Sequence, residues 1–135
     1  MTSIIRETGI AATPVAAWDA LRDFGALHGL ASGFVTSTKL EDDRTRVVTF
    51  FNGATVREAL IGTDEQVRRI AWTITDLAGA THHSGSAQIL ADGEDFGRCR
   101  LIWTTDVLPD DLAERLGTMM EAGLAAIKRT LESAQ

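Results

Sequence analysis

The 135-residue chain has one cysteine, Cys99, two prolines, three histidines and no tyrosine. A lone cysteine excludes an intrachain disulfide and every multi-cysteine zinc site, and it fits a reducing compartment. Without tyrosine, no phenolic hydroxyl is available as a catalytic acid. Long hydrophobic runs are missing as well: "RVVTFF" and "GLAAI" fall far short of the roughly 18 residues that a membrane span needs. The opening "MTSIIRETG" has neither the basic start nor the apolar stretch of a signal peptide. These absences predict a cytoplasmic protein with no membrane insertion. Positive charge is scarce too, with 13 Lys and Arg against 19 Asp and Glu and a net charge of −6. No basic cluster exceeds Arg68-Arg69, so a polyanion is repelled at long range and nucleic acid is not an expected partner.

What is present describes an ordinary globular chain, 44% hydrophobic and 24% charged. Its length predicts a single domain over residues 1–135, and it has no internal repeat and no low-complexity segment. Residues 3 to 12 read as a strand. Thr13-Pro14 then supplies an N-cap and a proline at the first helical position, where the missing N–H has no partner to lose. Val15, Trp18, Leu21 and Phe24 follow at roughly helical spacing, and Gly25 is the expected stop.

Beyond that helix the rhythm changes to strands. A weaker strand at 33 to 40 precedes "TRVVTFF" (45–51) and "ATVREALI" (54–61), which meet across Asn52-Gly53, a dipeptide suited to a type I′ hairpin. Segments 67–75, 81–91 and 98–107 continue the meander. Pro109 closes the strands and opens a helix whose Leu112, Leu116, Met119, Met120, Gly123, Leu124, Ile127 and Leu131 form one apolar stripe. About 25 residues at ~1.5 Å each give it a length of ~37 Å. Six consecutive strands cannot hide both faces of a sheet, and a lone amphipathic helix cannot hide its stripe. The economical fold therefore curls the sheet around the helix.

This layout resembles the helix-grip fold of the START-like superfamily, also called SRPBCC, and within it the polyketide cyclase/dehydrase and lipid-transport family. "TPVAAWDALRDFGALH" is similar to that family's opening helix and following loop, and "NGATVREALIGTDEQVRRIAWTI" to its central strands. "CRLIWTTDVLPDD" with "MMEAGLAAIKRTLE" is similar to its last strand and gripped helix. The resemblance covers essentially the whole chain and implies an α+β fold: a curved antiparallel sheet of about seven strands around a long C-terminal helix, with two short helices after the first strand. It implies a ligand cavity between sheet and helix.

Strand alternation selects the side chains that would face such a cavity. Cys99, Leu101, Trp103, Thr105 and Val107 share one parity, as do Ile70, Trp72 and Ile74, and His83, Gly85, Ala87 and Ile89. Gly85 and Ala87, opposite large groups, leave room that is either pocket or space for a neighbour's side chain. Glu58 shares parity with Val56 and Leu60. An inward carboxylate needs a partner or a ligand, whereas a twisted or edge-like strand would leave Glu58 in solvent. His82 and His83 are adjacent and point to opposite faces, so they do not form a metal site with His28, and no metal or other cofactor is expected. Cys99 reads as a small buried hydrophobe. Trp18, Trp72 and Trp103 read first as core and second as ligand platforms. Met119, Met120 and Gly123 lie where the helix would face the cavity. The resemblance adds His28 as a residue near the cavity mouth. It also implies an arginine that aligns with Val48, whose loss would remove an anion anchor.

Two functions follow from the resemblance. One is binding of a small hydrophobic or amphipathic molecule, lipid- or polyketide-like, oriented by Glu58 and His83. The other is a cyclase/dehydratase in which Glu58 and His83 act as acid and base. The missing tyrosine and the Val48 substitution favour binding over catalysis. A protein-interaction role, which needs an exposed apolar face, is a third class. The expected partner is a small hydrophobic molecule, and a homodimer stays open beside the monomer.

Overall fold

The computed structural model describes residues 1–134. The elements run β1 (Thr2–Ile10), α1 (Pro14–Leu21), α2 (Leu27–Leu30), β2 (Val35–Leu40), β3 (Thr45–Phe50), β4 (Thr55–Asp64), β5 (Arg69–Ile74), β6 (His82–Asp92), β7 (Asp95–Leu108), and α3 (Ala113–Ser133) after a 3₁₀ turn at Asp110–Leu112. The seven strands form one antiparallel sheet in the order β1-β7-β6-β5-β4-β3-β2. Register shifts at Val35/Ser37 and Leu60/Gly62 each place one extra residue on a strand, and the shift at Ala91/Asp92 leaves residues 96–98 of β7 without a partner across the ladder. Such bulges increase local bend and twist, which helps the sheet curve around α3.

The α3 stripe meets that concave face. Leu116, Met120, Leu124, Ile127 and Leu131 are buried there, and Leu124, Ile127 and Leu131 join a core with Ile10, Val48, Ile70, Ile89 and Leu101. A smaller cluster of Ile4, Val107, Leu116 and Met120 closes the end where α3 begins. At its other end α3 is pinned to β1, because Lys128 Nζ donates to the Gly9 carbonyl at 2.7 Å and to Glu132 at 2.8 Å. Thr13 caps α1 as expected, its hydroxyl accepting from the Ala16 N–H at 3.1 Å. Trp18 is 4% exposed and donates its indole N–H to Glu65 at 2.6 Å, which anchors α1 to the β4–β5 turn. That hydrogen bond, ahead of the one from Arg22, holds the Glu65 carboxyl below its ordinary range.

Several expectations change in detail. Val15 points to solvent and Ala17 takes the buried position beside Trp18, while α1 already stops at Leu21, before Gly25. The β3–β4 connection is not a type I′ turn: only Gly53 has positive φ, +85°, and its N–H closes a turn onto the Phe50 carbonyl. Asn52 instead uses its side chain, accepting from the Ala54 N–H at 3.0 Å. The final helix has 21 residues rather than about 25, because Asp110–Leu112 winds as 3₁₀.

Candidate functional site

Between the sheet and α3 lies a cavity of about 450 Å³, whose walls are mostly apolar. A second space of about 70 Å³ extends toward α2 and is bordered by Leu27, Ala31, Ala87, Gly123 and Leu124. Phe34, Phe50, Glu58, Trp72 and Trp103 border both. The rim of the larger cavity comes from the β3–β4 turn (Asn52, Ala54), the β5–β6 loop (Asp76, Leu77, Ala78) and Arg115 on α3.

Glu58 faces inward and is 7% exposed, so the solvent alternative does not hold. Its partner is Arg46, directly opposite on β3 and 4% exposed. Arg46 Nε donates to Glu58 Oε1 at 2.8 Å, and Nη2 lies 2.7 Å from the same oxygen. Nη1 donates to the Phe24 carbonyl at 3.1 Å, while the guanidinium stacks 4.0 Å over the Phe24 ring and 5.7 Å from that of Trp72. These contacts compensate much of the cost of burying the two charges. Both Arg46 contacts end on Oε1, and Oε2 has no hydrogen-bond partner among the described residues.

Arg46 escaped sequence reasoning although its signal was there. It shares strand parity with Val48 and Phe50, so an inward Val48 implies an inward Arg46. The expectation that the guanidinium is lost at Val48 is therefore corrected: Val48 is fully buried core, and a guanidinium enters two residues earlier on the same face.

The expected inward sets of β5, β6 and β7 line up as anticipated, with Ile70, Trp72, Ile74, Ala87, Ile89, Cys99, Leu101, Thr105 and Val107 all buried. His83, Thr105, Met119 and Met120 border the larger cavity, and Ala87 and Gly123 the smaller one. Burial lowers the His83 pKa from 6.5 to about 4, with the His82 charge adding to the effect, so the ring is neutral near pH 7. His83 Nδ1 and Trp103 Nε1 are both buried without a hydrogen-bond partner. Leaving such a group unmatched costs roughly 1–3 kcal/mol.

Two expected positions do not reach the cavity. His28 is exposed on α2, whose inward residues are Leu27 and Leu30. Gly85 leaves room, but the Trp72 indole fills it: a Cβ there would lie 2.8 Å from that ring. Trp18 is core only, tied to Glu65 rather than facing either space. Cys99 is fully buried, and burial pushes its thiol pKa up, which makes it a poor nucleophile. Among the described residues no group of three or more His, Cys, Asp or Glu could hold a metal ion, and no helix is long and apolar enough to cross a membrane.

A curved seven-stranded antiparallel sheet gripping one long helix, with two short helices after the first strand, is the helix-grip fold of the START-like, or SRPBCC, superfamily. The family model described as polyketide cyclase/dehydrase and lipid transport matches residues 1–132, and the chain belongs to that family. The chain is similar in structure to the protein XoxI from Bacillus cereus, with a TM-score of 0.87, 19% identity, and coverage of 97% of this chain and 96% of that one. It is also similar to a START superfamily protein from Mycobacterium smegmatis, with a TM-score of 0.79, 14% identity, and coverage of 98% and 99%. Norcoclaurine synthase from Thalictrum flavum, in complex with dopamine and hydroxybenzaldehyde, gives a TM-score of 0.76, 19% identity, and coverage of 99% and 88%. At such identities the likeness concerns the fold. No curated protein matches the sequence.

Proposed function

We propose that the protein is a cytoplasmic carrier or sensor that encloses a small hydrophobic or amphipathic molecule between the sheet and α3. The observation that carries this reading is the cavity of about 450 Å³, apolar on most sides yet bordered by a buried ion pair with one unengaged carboxylate oxygen. Ligand sites combine apolar burial with a few placed polar groups in this way. Trp72, Trp103, Met119 and Met120 supply the apolar surface, Ala87 borders the inner recess, and Gly123 lets the Trp103 and Phe34 rings pack against α3. Glu58 and His83 orient the ligand. All these walls come from one chain, so the reading does not require a dimer.

A second reading, catalysis of the cyclase/dehydratase type, is favoured by one observation: a buried carboxylate and a histidine held neutral near pH 7 border the same cavity. A neutral imidazole can accept a proton from a bound ketone, and an acid/base pair within ~3 Å of the reacting atoms could direct loss of water.

Mass spectrometry of material extracted from the purified protein, with thermal-shift screening of fatty acids, aromatic polyketides, sterols and quinones, tests the first reading. The expected result is one class that raises Tm in proportion to its concentration. No stabilisation by any class would contradict it. Turnover of a poly-β-ketone, abolished in Glu58→Gln or His83→Ala, would establish the second reading instead.

A further inference from the structure

We infer that the Arg46–Glu58 pair makes the cavity selective for uncharged, ring-bearing molecules that carry a hydroxyl group, with the ligand O–H donated to Glu58 Oε2. This rests on the proposal that the cavity holds a ligand, and it names the chemistry that the ligand must present. The first step is the commitment of Arg46, whose Nε/Nη2 edge is taken by Glu58. Its three guanidinium nitrogens are engaged, two by Glu58 Oε1 and one by the Phe24 carbonyl, and one face is covered by the Phe24 ring. Arginine recognises a carboxylate or phosphate by offering two parallel N–H groups, and Arg46 has already committed that edge. It is a positioning residue for Glu58 and not an anion anchor.

The second step is the remaining carboxylate oxygen. Oε2 has no hydrogen-bond partner among the described residues, although Glu58 borders both the larger cavity and its inner recess. An ionised carboxylate oxygen only accepts, so a ligand group beside it must donate. A ligand carboxylate would meet like charge in a water-poor space, where repulsion is little screened. The third step is shape. The walls around Glu58 carry the rings of Trp72, Trp103, Phe34 and Phe50, an aromatic lining that favours a ring over a flexible chain.

Isothermal titration with three probes of one ring system separates these effects: 2-naphthol, its methyl ether 2-methoxynaphthalene, and 2-naphthoate, all near pH 7. The ether keeps the ring and the oxygen but cannot donate. A purely apolar cavity binds the ether at least as well as the naphthol. The expected result is naphthol tighter than the ether by about tenfold to a hundredfold, the worth of a hydrogen bond to a charged group, with naphthoate weakest. In the double variant Arg46→Met/Glu58→Leu the preference for naphthol over the ether should vanish. Equal binding of naphthol and ether, or tighter binding of naphthoate, overturns the selectivity and leaves ligand binding standing. Failure of all three to bind overturns both. Persistence of the naphthol preference in a folded double variant assigns it elsewhere and overturns the role of Glu58.

Discussion

Removing Arg46 alone should cost far more than removing Arg46 and Glu58 together. The two side chains are 4% and 7% exposed, and Nη2 lies 2.7 Å from Oε1. At that separation, with an effective dielectric of ~20, their attraction is about 6 kcal/mol, and desolvation of both groups offsets most of it. Arg46→Met leaves Glu58 buried without its partner and also loses the bond to the Phe24 carbonyl and the stacking on Phe24. The expected loss is ~3–5 kcal/mol, and Glu58→Leu, which strands the guanidinium, should fall in the same range. The double variant Arg46→Met/Glu58→Leu replaces the pair by apolar groups of comparable size and should return to within ~1 kcal/mol of the parent. Urea unfolding followed by tryptophan fluorescence reads this directly. With a slope of roughly 2 kcal/mol/M, each single variant should lower the midpoint by about 2 M. Single variants within ~0.5 M of the parent, or a double variant showing the sum of both losses, would refute the buried-pair reasoning.

Three further outcomes are expected. His83 has its pKa lowered to about 4 in the folded protein, so the unfolded chain takes up a proton first as pH falls. Its contribution to stability should be complete above pH ~6.5 and be lost as pH drops from there toward 4, and urea midpoints across that range should vary less in His83→Phe. Gly85→Ala puts a methyl group 2.8–2.9 Å from three atoms of the Trp72 indole and should cost ~1–3 kcal/mol, with a change in tryptophan emission as Trp72 is displaced. Thr13→Ala removes the acceptor for the Ala16 N–H and should lower stability by ~0.5–2 kcal/mol in thermal unfolding, without altering ligand affinity.

The legible part of this molecule was periodic. The α3 stripe and the inward parities of β5, β6 and β7 could be read because burial follows period 3.6 in a helix and period 2 in a strand. Glu58 could be nominated by the same alternation, since Val56 and Leu60 flank it. Its partner was harder, because Arg46 opens a strand next to the polar segment "LEDDRT", where an arginine reads as the solvated end of a turn. Only the cross-strand register, which pairs Arg46 with Glu58, reveals that the two charges neutralise each other. Gly85 shows the opposite limit. Alternation placed it inward correctly, but whether the space above a glycine is empty depends on the rotamer of Trp72, which no sequence pattern encodes. His28 failed for a related reason: α2 spans only Leu27–Leu30, too short for periodicity to tell its inward face from its outward one.

The three tryptophans allow the most direct test of the ligand cavity. Trp72 and Trp103 border it, whereas Trp18 borders neither space and its indole N–H is committed to Glu65. In a ¹⁵N-labelled sample titrated with 2-naphthol, the indole resonances of Trp103 and Trp72 should move saturably while that of Trp18 stays in place. Movement of the Trp18 signal alone, or no movement of any of the three at millimolar probe, would contradict the account.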